Sequence, residues 1–142
     1  MSIKLKALSE VNKKIGEIQK MYRIRDILDN GITEIVLQIP DDERMWAENP
    51  ELSDGAKYQK IKLHNYDDDL INLIVVYGKK GSTIKRHNHD ESHILVCIEG
   101  NMKVTIEDKE FMFKRGESMF IKSYDWHQID FIETSKIIVI YI

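Results

Sequence analysis

Three of the five histidines fall within seven residues, at His87, His89 and His93, and a fourth, His127, opens a later apolar segment. Neutral imidazole is the commonest protein ligand for zinc, copper, nickel and iron. On an extended segment, side chains two apart point to the same side, so His87 and His89 can approach one ion from one face. Asp90, Glu91 and Ser92 allow a turn, and His93 then starts the next strand on a neighbouring track. Strand alternation also produces His-x-His pairs by chance; the third and fourth imidazoles at strand starts raise this pair above that background. His64 lies in a polar stretch and reads as a surface residue.

These histidines need strands to position them, and the chain supplies the pattern from Lys57 onward. Short β-rich segments are expected at 58–64, 70–77, 92–98, 102–106, 110–113, 118–121, 126–131 and 136–141. Breaks are expected at 66–69, 78–81, 99–101, 107–109, 115–116 and 133–135. Many short strands with turn signals between them predict an all-β sandwich or barrel. Helices do not alternate with strands, which argues against a parallel α/β sheet.

The first part of the chain differs. Leu8, Val11, Ile15, Ile18 and Tyr22 recur at spacings of three and four, predicting an amphipathic helix over 4–22. That stripe is expected to pack on its own domain; the same spacing also suits a short coiled-coil seam. A second short helix is expected over 25–30, stopped by Gly31, and a strand over 33–39. Residues 1–32 are thus read as a helical segment and 33–142 as the barrel domain. The acidic stretch 41–55 reads as a long surface loop of the kind that often acts as a lid.

The whole chain has 142 residues, 42% apolar and 32% charged, with a net charge of −3, which fits one globular domain. No apolar run reaches the roughly 18–20 residues of a membrane span, and the first residues lack a signal-peptide core, so a cytoplasmic protein is expected. Residues 1–25 hold seven Lys or Arg against two Glu, a balance of +5. Those cations are interspersed with apolar residues, as on the solvent face of a helix, so nucleic-acid binding is not expected. The single Cys97, within Ile94-Leu-Val-Cys-Ile98, is expected to be a buried small hydrophobe rather than a nucleophile.

The segment Gly81-Ser-Thr-Ile-Lys-Arg-His87-Asn-His89-Asp-Glu-Ser-His93-Ile-Leu-Val-Cys-Ile-Glu-Gly100 resembles the first motif of the cupin superfamily. Gly116 through His127 resembles the second, in length and in its glycine and histidine, and fifteen residues separate Gly100 from Gly116. The resemblance implies a double-stranded β-helix, or jelly-roll barrel, with one divalent metal inside. By position it implies His87, His89 and His127 as the three histidine ligands, with His93 where the family has a glutamate. Gly81, Gly100 and Gly116 fall on its turn glycines, where positive φ costs little.

Several positions depart from the pattern. His93 in place of a carboxylate leaves a divalent ion with a net +2 rather than +1. Four imidazoles favour Fe, Zn, Ni or Cu over the harder Mn or Mg. The change also removes a potential general base. Lys122, Tyr124 and Phe131 replace the second motif's Pro, Gly and Asn, so the loop before His127 is expected to be shaped differently. An alternative is that His93 swings away and leaves three histidine ligands.

Strand parity puts Leu95 and Cys97 on the face of His93, and Ile129 and Phe131 on that of His127. Met119 and Ile121, or Ser118 and Phe120, would face in beside them. Tyr77, Tyr124 and Trp126 are candidate edges of the pocket, and Glu91, Asp90 and Asp125 flank the ligands. Two functions follow from the resemblance. One is a small-molecule metalloenzyme of dioxygenase type, with a substrate at the metal's open positions. The other is a non-catalytic metal- or ligand-sensing module whose basic helical segment docks a partner. A homodimer is implied because small cupins commonly pair through their sheets.

Overall fold

The computed structural model describes residues 3–40, 42–61 and 71–142. His64, together with the expected strand end at 61–64 and break at 66–69, lies largely outside them. Helix α1 covers Ile3–Asp26. A π-helical turn, Ile27–Gly31, leads directly into α2, Ile32–Gln38. The expected stop at Gly31 and strand over 33–39 are therefore both corrected. Ile35 and Leu37 alternate as in a strand, but Ile32, Ile35 and Ile39 also follow helical spacing, an ambiguity inherent in short apolar runs. Burial decides it: Ile24, Ile27 and Ile35 all sit in one core cluster with Trp46, Leu73, Val75, Ile138 and Ile140. Keeping the helix turning through Gly31 places these side chains on a single face.

The stretch after α2 is more structured than a long loop. It forms a 3-10 turn at Glu43–Met45 and a two-residue strand β1, Ala47–Glu48, paired with β2, Ser53–Lys60. Trp46 anchors it, buried at 9% exposure, with its indole N–H donating to the Pro40 carbonyl at 3.3 Å.

The remaining strands are β3 (Asn72–His87), β4 (His93–Glu99), β5 (Asn101–Ile106), β6 (Lys109–Lys114), β7 (Ser118–Ile121), β8 (His127–Phe131) and β9 (Ser135–Tyr141). They form an antiparallel, nearly closed barrel in the order β6-β5-β8-β3-β9-β4-β7, with β2 also on β3. The expected break at 78–81 does not occur. Instead β3 runs for 16 residues and changes partners: Asn72–Gly78 pair with β9, and Thr83–His87 pair with β8. Gly78 cannot carry a side chain, because an added Cβ would run into the Phe131 ring. Gly81 takes a φ of +88°, which lets the chain bend without ending the ladder. One long, bent strand thereby serves both walls of the barrel.

Two cores result. Inside the barrel lie Val76, Leu95, Met102, Val104, Phe113, Ile121, Ile129, Phe131, Ile137 and Val139, with Cys97 buried among them as expected. The outer faces of β3 and β9 carry Leu73, Val75, Ile138 and Ile140, which the helical segment covers. This double-sided burial explains the unbroken run Ile137-Ile-Val-Ile140, which shows no strand alternation.

Helix α1 itself departs from expectation. Its predicted stripe does not pack on the barrel: Leu8, Val11, Ile15, Ile18 and Tyr22 are 48–68% exposed. Only its C-terminal end docks, through Ile24 and the following turn. Among the described residues no helix is long and apolar enough to cross a membrane.

Candidate metal centre

The site is built where β3 and β8 end against each other. His87, the last residue of β3, is the register partner of His127, the first residue of β8. Their ring centroids lie 4.2 Å apart. His89 follows in the loop after β3, with its ring 5.5 Å from that of His87 and 5.1 Å from that of His127. His93 begins β4, between Tyr141 of β9 and Ile121 of β7. Its ring is 4.8 Å from His89 and 5.0 Å from His127. All four sequence-predicted histidines therefore meet at one end of the barrel.

They are not equivalent. Donor nitrogens of His87, His89 and His127 all lie within 4.8 Å of one another, and His93 is outside that set. The chain also fixes two of the rings. His87 Nδ1 lies 2.6 Å from the Lys85 carbonyl, and His127 Nδ1 lies 2.8 Å from the Asp125 carbonyl. A carbonyl only accepts, so each Nδ1 carries the proton and each Nε2 is left as a free electron-pair donor. Nδ1 of His89 and Nδ1 of His93 are buried with no hydrogen-bond partner among the described residues. Orphaned polar atoms in an apolar pocket are costly, and a cation is one partner that removes the cost.

The protonation states suit a cation. Burial, then the charges of His127, His89 and His87, push the His93 imidazole down to about 3. Burial, outweighing the Asp125 hydrogen bond, pushes His127 down to about 4. Burial likewise lowers His87. Imidazoles kept neutral at neutral pH are the form that ligates metals. The donor set therefore fits a metal ion.

Two loops hold the group together. Tyr124, between β7 and β8, donates its backbone N–H to the His89 carbonyl at 2.8 Å, and Asn88 Nδ2 donates to the Tyr124 carbonyl at 3.2 Å. Ser92 and Ser123 lock the same loops, the Ser123 N–H reaching Ser92 Oγ at 3.0 Å. Tyr124, at the position of the second motif's glycine, adopts φ +65°, the left-handed conformation that glycine favours.

Inside, the imidazoles line a cavity of about 40 Å³ with Tyr58, Leu95, Ile129, Val139 and Tyr141. That volume holds an ion and a few small atoms. It opens toward a cleft of about 870 Å³ that shares His87, His89 and Tyr141 and adds Lys60, Asn88 and Glu91. Such a volume is within the range of small-molecule sites.

Parity placed Leu95, Cys97, Met119, Ile121, Ile129 and Phe131 correctly, while Phe120 is 56% exposed. The three predicted aromatic edges fall elsewhere. Tyr77 packs on Trp46 outside the barrel, and Tyr124 and Trp126 are exposed, with Arg86 stacked over Trp126. Asp90 is exposed, and Asp125 acts through its backbone carbonyl.

Tyr58 and Tyr141 take the place expected of those aromatics. The Tyr58 hydroxyl is buried without a hydrogen-bond partner among the described residues, and the Tyr141 ring is 5.6 Å from His93. Burial raises both phenols, that of Tyr141 to about 12, so both keep their protons. Strand alternation within β2 could have marked Tyr58 as inward, but only the β4–β9 register puts Tyr141 opposite His93.

The Cupin domain family model matches residues 73–142. No curated protein matches the chain. Among solved structures, KdgF from Halomonas sp. is similar at 16% identity, with a TM-score of 0.57, over 68% of this chain and 83% of that one. An RmlC-like cupin from Shewanella frigidimarina is similar at 17% identity and a TM-score of 0.54, over 68% and 92%. The polyketide cyclase RemF from Streptomyces resistomycificus is similar at 18% identity and 0.56, over 63% and 66%. At these identities the structural similarity shows a shared fold alone, which agrees with the family match and with the jelly-roll strand order. Residues 73–142 thus form a cupin domain with the cupin fold.

Proposed function

We propose that His87, His89, His93 and His127 hold one divalent transition ion (Fe, Zn, Ni or Cu), and that the protein is a small-molecule metalloenzyme of dioxygenase type. The observation carrying this reading is the convergence of four imidazoles, two with their Nε2 lone pairs left free by backbone carbonyls. When bound, such an ion supplies Lewis acidity and, for iron or copper, one-electron chemistry. The chain supplies the rest. Apolar walls from Leu95, Ile129 and Val139 exclude water from the inner cavity. The Tyr58 and Tyr141 hydroxyls stay protonated and are placed to donate hydrogen bonds to an oxygen of a bound ligand. The described lining of the inner cavity contains no carboxylate. A proton acceptor therefore has to come from the substrate or from the outer cleft, where Glu91 stands.

A homodimer in the cytoplasm completes this reading. Elemental analysis of untagged protein tests the metal: about one ion per chain supports it, and a metal-free, reconstitution-resistant protein overturns it. Oxygen uptake with iron-loaded protein on a panel of diketones, thiols and flavonoids tests the activity. No turnover across the panel would leave a metal site without this chemistry.

One observation favours a second reading, a metal- or ligand-sensing module. The basic α1 helix stands exposed beside the barrel rather than packed on it. In that case metal loading changes the protease sensitivity of α1; identical cleavage with and without metal counts against it.

A further inference from the structure

We propose that Glu107, which lines neither cavity of the site, is a positioning residue for His127 and acts through a single peptide group. That role rests on the metal reading above.

The Asp125 carbonyl that holds His127 Nδ1 at 2.8 Å belongs to the same peptide as the Trp126 N–H. That N–H donates to Glu107 Oε1 at 3.1 Å. A planar trans peptide points its carbonyl and its N–H in opposite directions, so fixing one fixes the other. The exposed carboxylate of Glu107 therefore grips the peptide plane that orients the buried imidazole. Its charge on the N–H side also polarises the carbonyl and strengthens the bond that the carbonyl accepts. An outer-shell carboxylate that meets an imidazole N–H directly fixes its tautomer and orientation. Here one peptide stands between the two.

The local backbone is built around this contact. Glu107 follows Ile106, the β5 register partner of His127. A regular antiparallel ladder would continue with Glu107 and Trp126 exchanging both backbone hydrogen bonds. One of them forms, from the Glu107 N–H to the Trp126 carbonyl at 2.7 Å. In place of the other, the Trp126 N–H goes to the side chain. Glu107 takes φ +52°, a left-handed conformation uncommon for residues with a side chain. Its own carbonyl accepts instead from Arg86 Nη1 at 3.3 Å. Backbone strain kept at such a position, beside a site, points to a role beyond closing the turn. Arg86 precedes His87 and lays its guanidinium over the Trp126 ring, 5.6 Å from the centroid. Arg86 and Glu107 thereby join the ends of β3 and β5 across β8, beside the His87–His127 pair.

A glutamate that merely closes a turn offers the matched control. Glu117 Oε1 accepts the Lys114 N–H at 2.7 Å, the same kind of bond, and also lines neither cavity.

Two measurements test the proposal: zinc affinity, by competition with a chromophoric chelator, and nitrogen-15 imidazole spectra of the metal-free protein. Glycine takes a left-handed φ cheaply, so Glu107→Gly removes the carboxylate without straining the turn. It is expected to weaken zinc binding about tenfold, the lower end of outer-shell effects, and to mix the two tautomers of His127. Glu107→Ala should do the same and serves if the glycine variant does not fold. Glu107→Gln, whose amide oxygen still accepts, should return to within about threefold of wild type and keep one tautomer. Glu117→Ala should leave both readouts unchanged. Circular dichroism shows which variants are folded. A folded Glu107→Gly or Glu107→Ala with wild-type affinity and a single His127 tautomer overturns the proposal. So does a loss that Glu107→Gln fails to restore, or that Glu117→Ala reproduces. A wild type that takes up no zinc counts against the metal reading alone, and the metal-free imidazole spectra then decide the role of Glu107.

Discussion

His87 and His127 are cross-strand partners, with ring centroids 4.2 Å apart and each Nδ1 hydrogen bonded to the carbonyl two residues earlier. Two strands 40 residues apart thus present matched, pre-oriented imidazoles. His93 reaches the same space from a third strand, without membership of the closest set. The structure therefore ranks the ligands. His87→Ala or His127→Ala is expected to weaken metal binding by at least about 100-fold. His93→Ala should cost less, about tenfold, because its donor atoms stand furthest from the other three. Competition titration with a chromophoric chelator reads both. Equal losses for all three would contradict this ranking.

Acid should destabilise the metal-free protein. His93 and His127 are held at about 3 and about 4 when folded, below the usual value of 6.5 that they regain on unfolding. Above 6.5 both states are neutral and the contribution to stability is fully present. As pH falls below 6.5, the unfolded chain takes up protons that the folded chain refuses, and stability is lost progressively toward 3–4. Thermal melts of apo protein from pH 7 to pH 4 should show a falling Tm. His127→Gln should show a shallower decline, and an unchanged slope would contradict the assignment.

Tyr124 occupies a left-handed turn at φ +65° that glycine adopts more cheaply. Its side chain is 66% exposed, so little packing is lost by removing it. Tyr124→Gly is expected to stabilise the fold by about 0.5–1 kcal/mol, the relief of the left-handed backbone exceeding the added chain entropy. Chemical denaturation measures it. A loss of stability would mean that the exposed ring is held by contacts worth more than the strain.

Gly100 makes the opposite case. It has φ +96°, and an added Cβ would press on Ser135 Oγ and come within 2.6 Å of the Thr134 carbonyl. Ser135 Oγ cannot give way freely, since it accepts from the Asn101 N–H and donates to the Glu133 carbonyl at 2.8 Å. Gly100→Ala should destabilise by about 2–4 kcal/mol, combining overpacking with backbone strain. Gly81→Ala, with open space around it, should cost only the strain, about 1–2 kcal/mol. Equal effects at the two positions would remove the packing argument.

The sequence by itself determined the strand-rich barrel, the turn glycines and the four histidines, because each depends on local rules. Strand alternation, positive-φ turns and His-x-His geometry are properties of neighbouring residues. The same rules failed where one segment satisfied two of them. Residues 33–39 fit strand and helix spacing equally, and only burial against the outer face of β3 and β9 chose the helix. The glycines at 78 and 81 signalled a break, but partners on both sides of β3 kept it one strand. Tertiary structure alone decided which histidines lie closest, because that follows from the β3–β8 register. It also replaced Tyr77, Tyr124 and Trp126 with Tyr58 and Tyr141 as the aromatic walls, since Tyr141 reaches the site through pairing with His93, 48 residues earlier. The stripe on α1 was legible from the start. That it faces away from its own barrel follows from where Ile24 and Ile27 sit around the helix axis, which no spacing along the chain reveals without knowing what they touch.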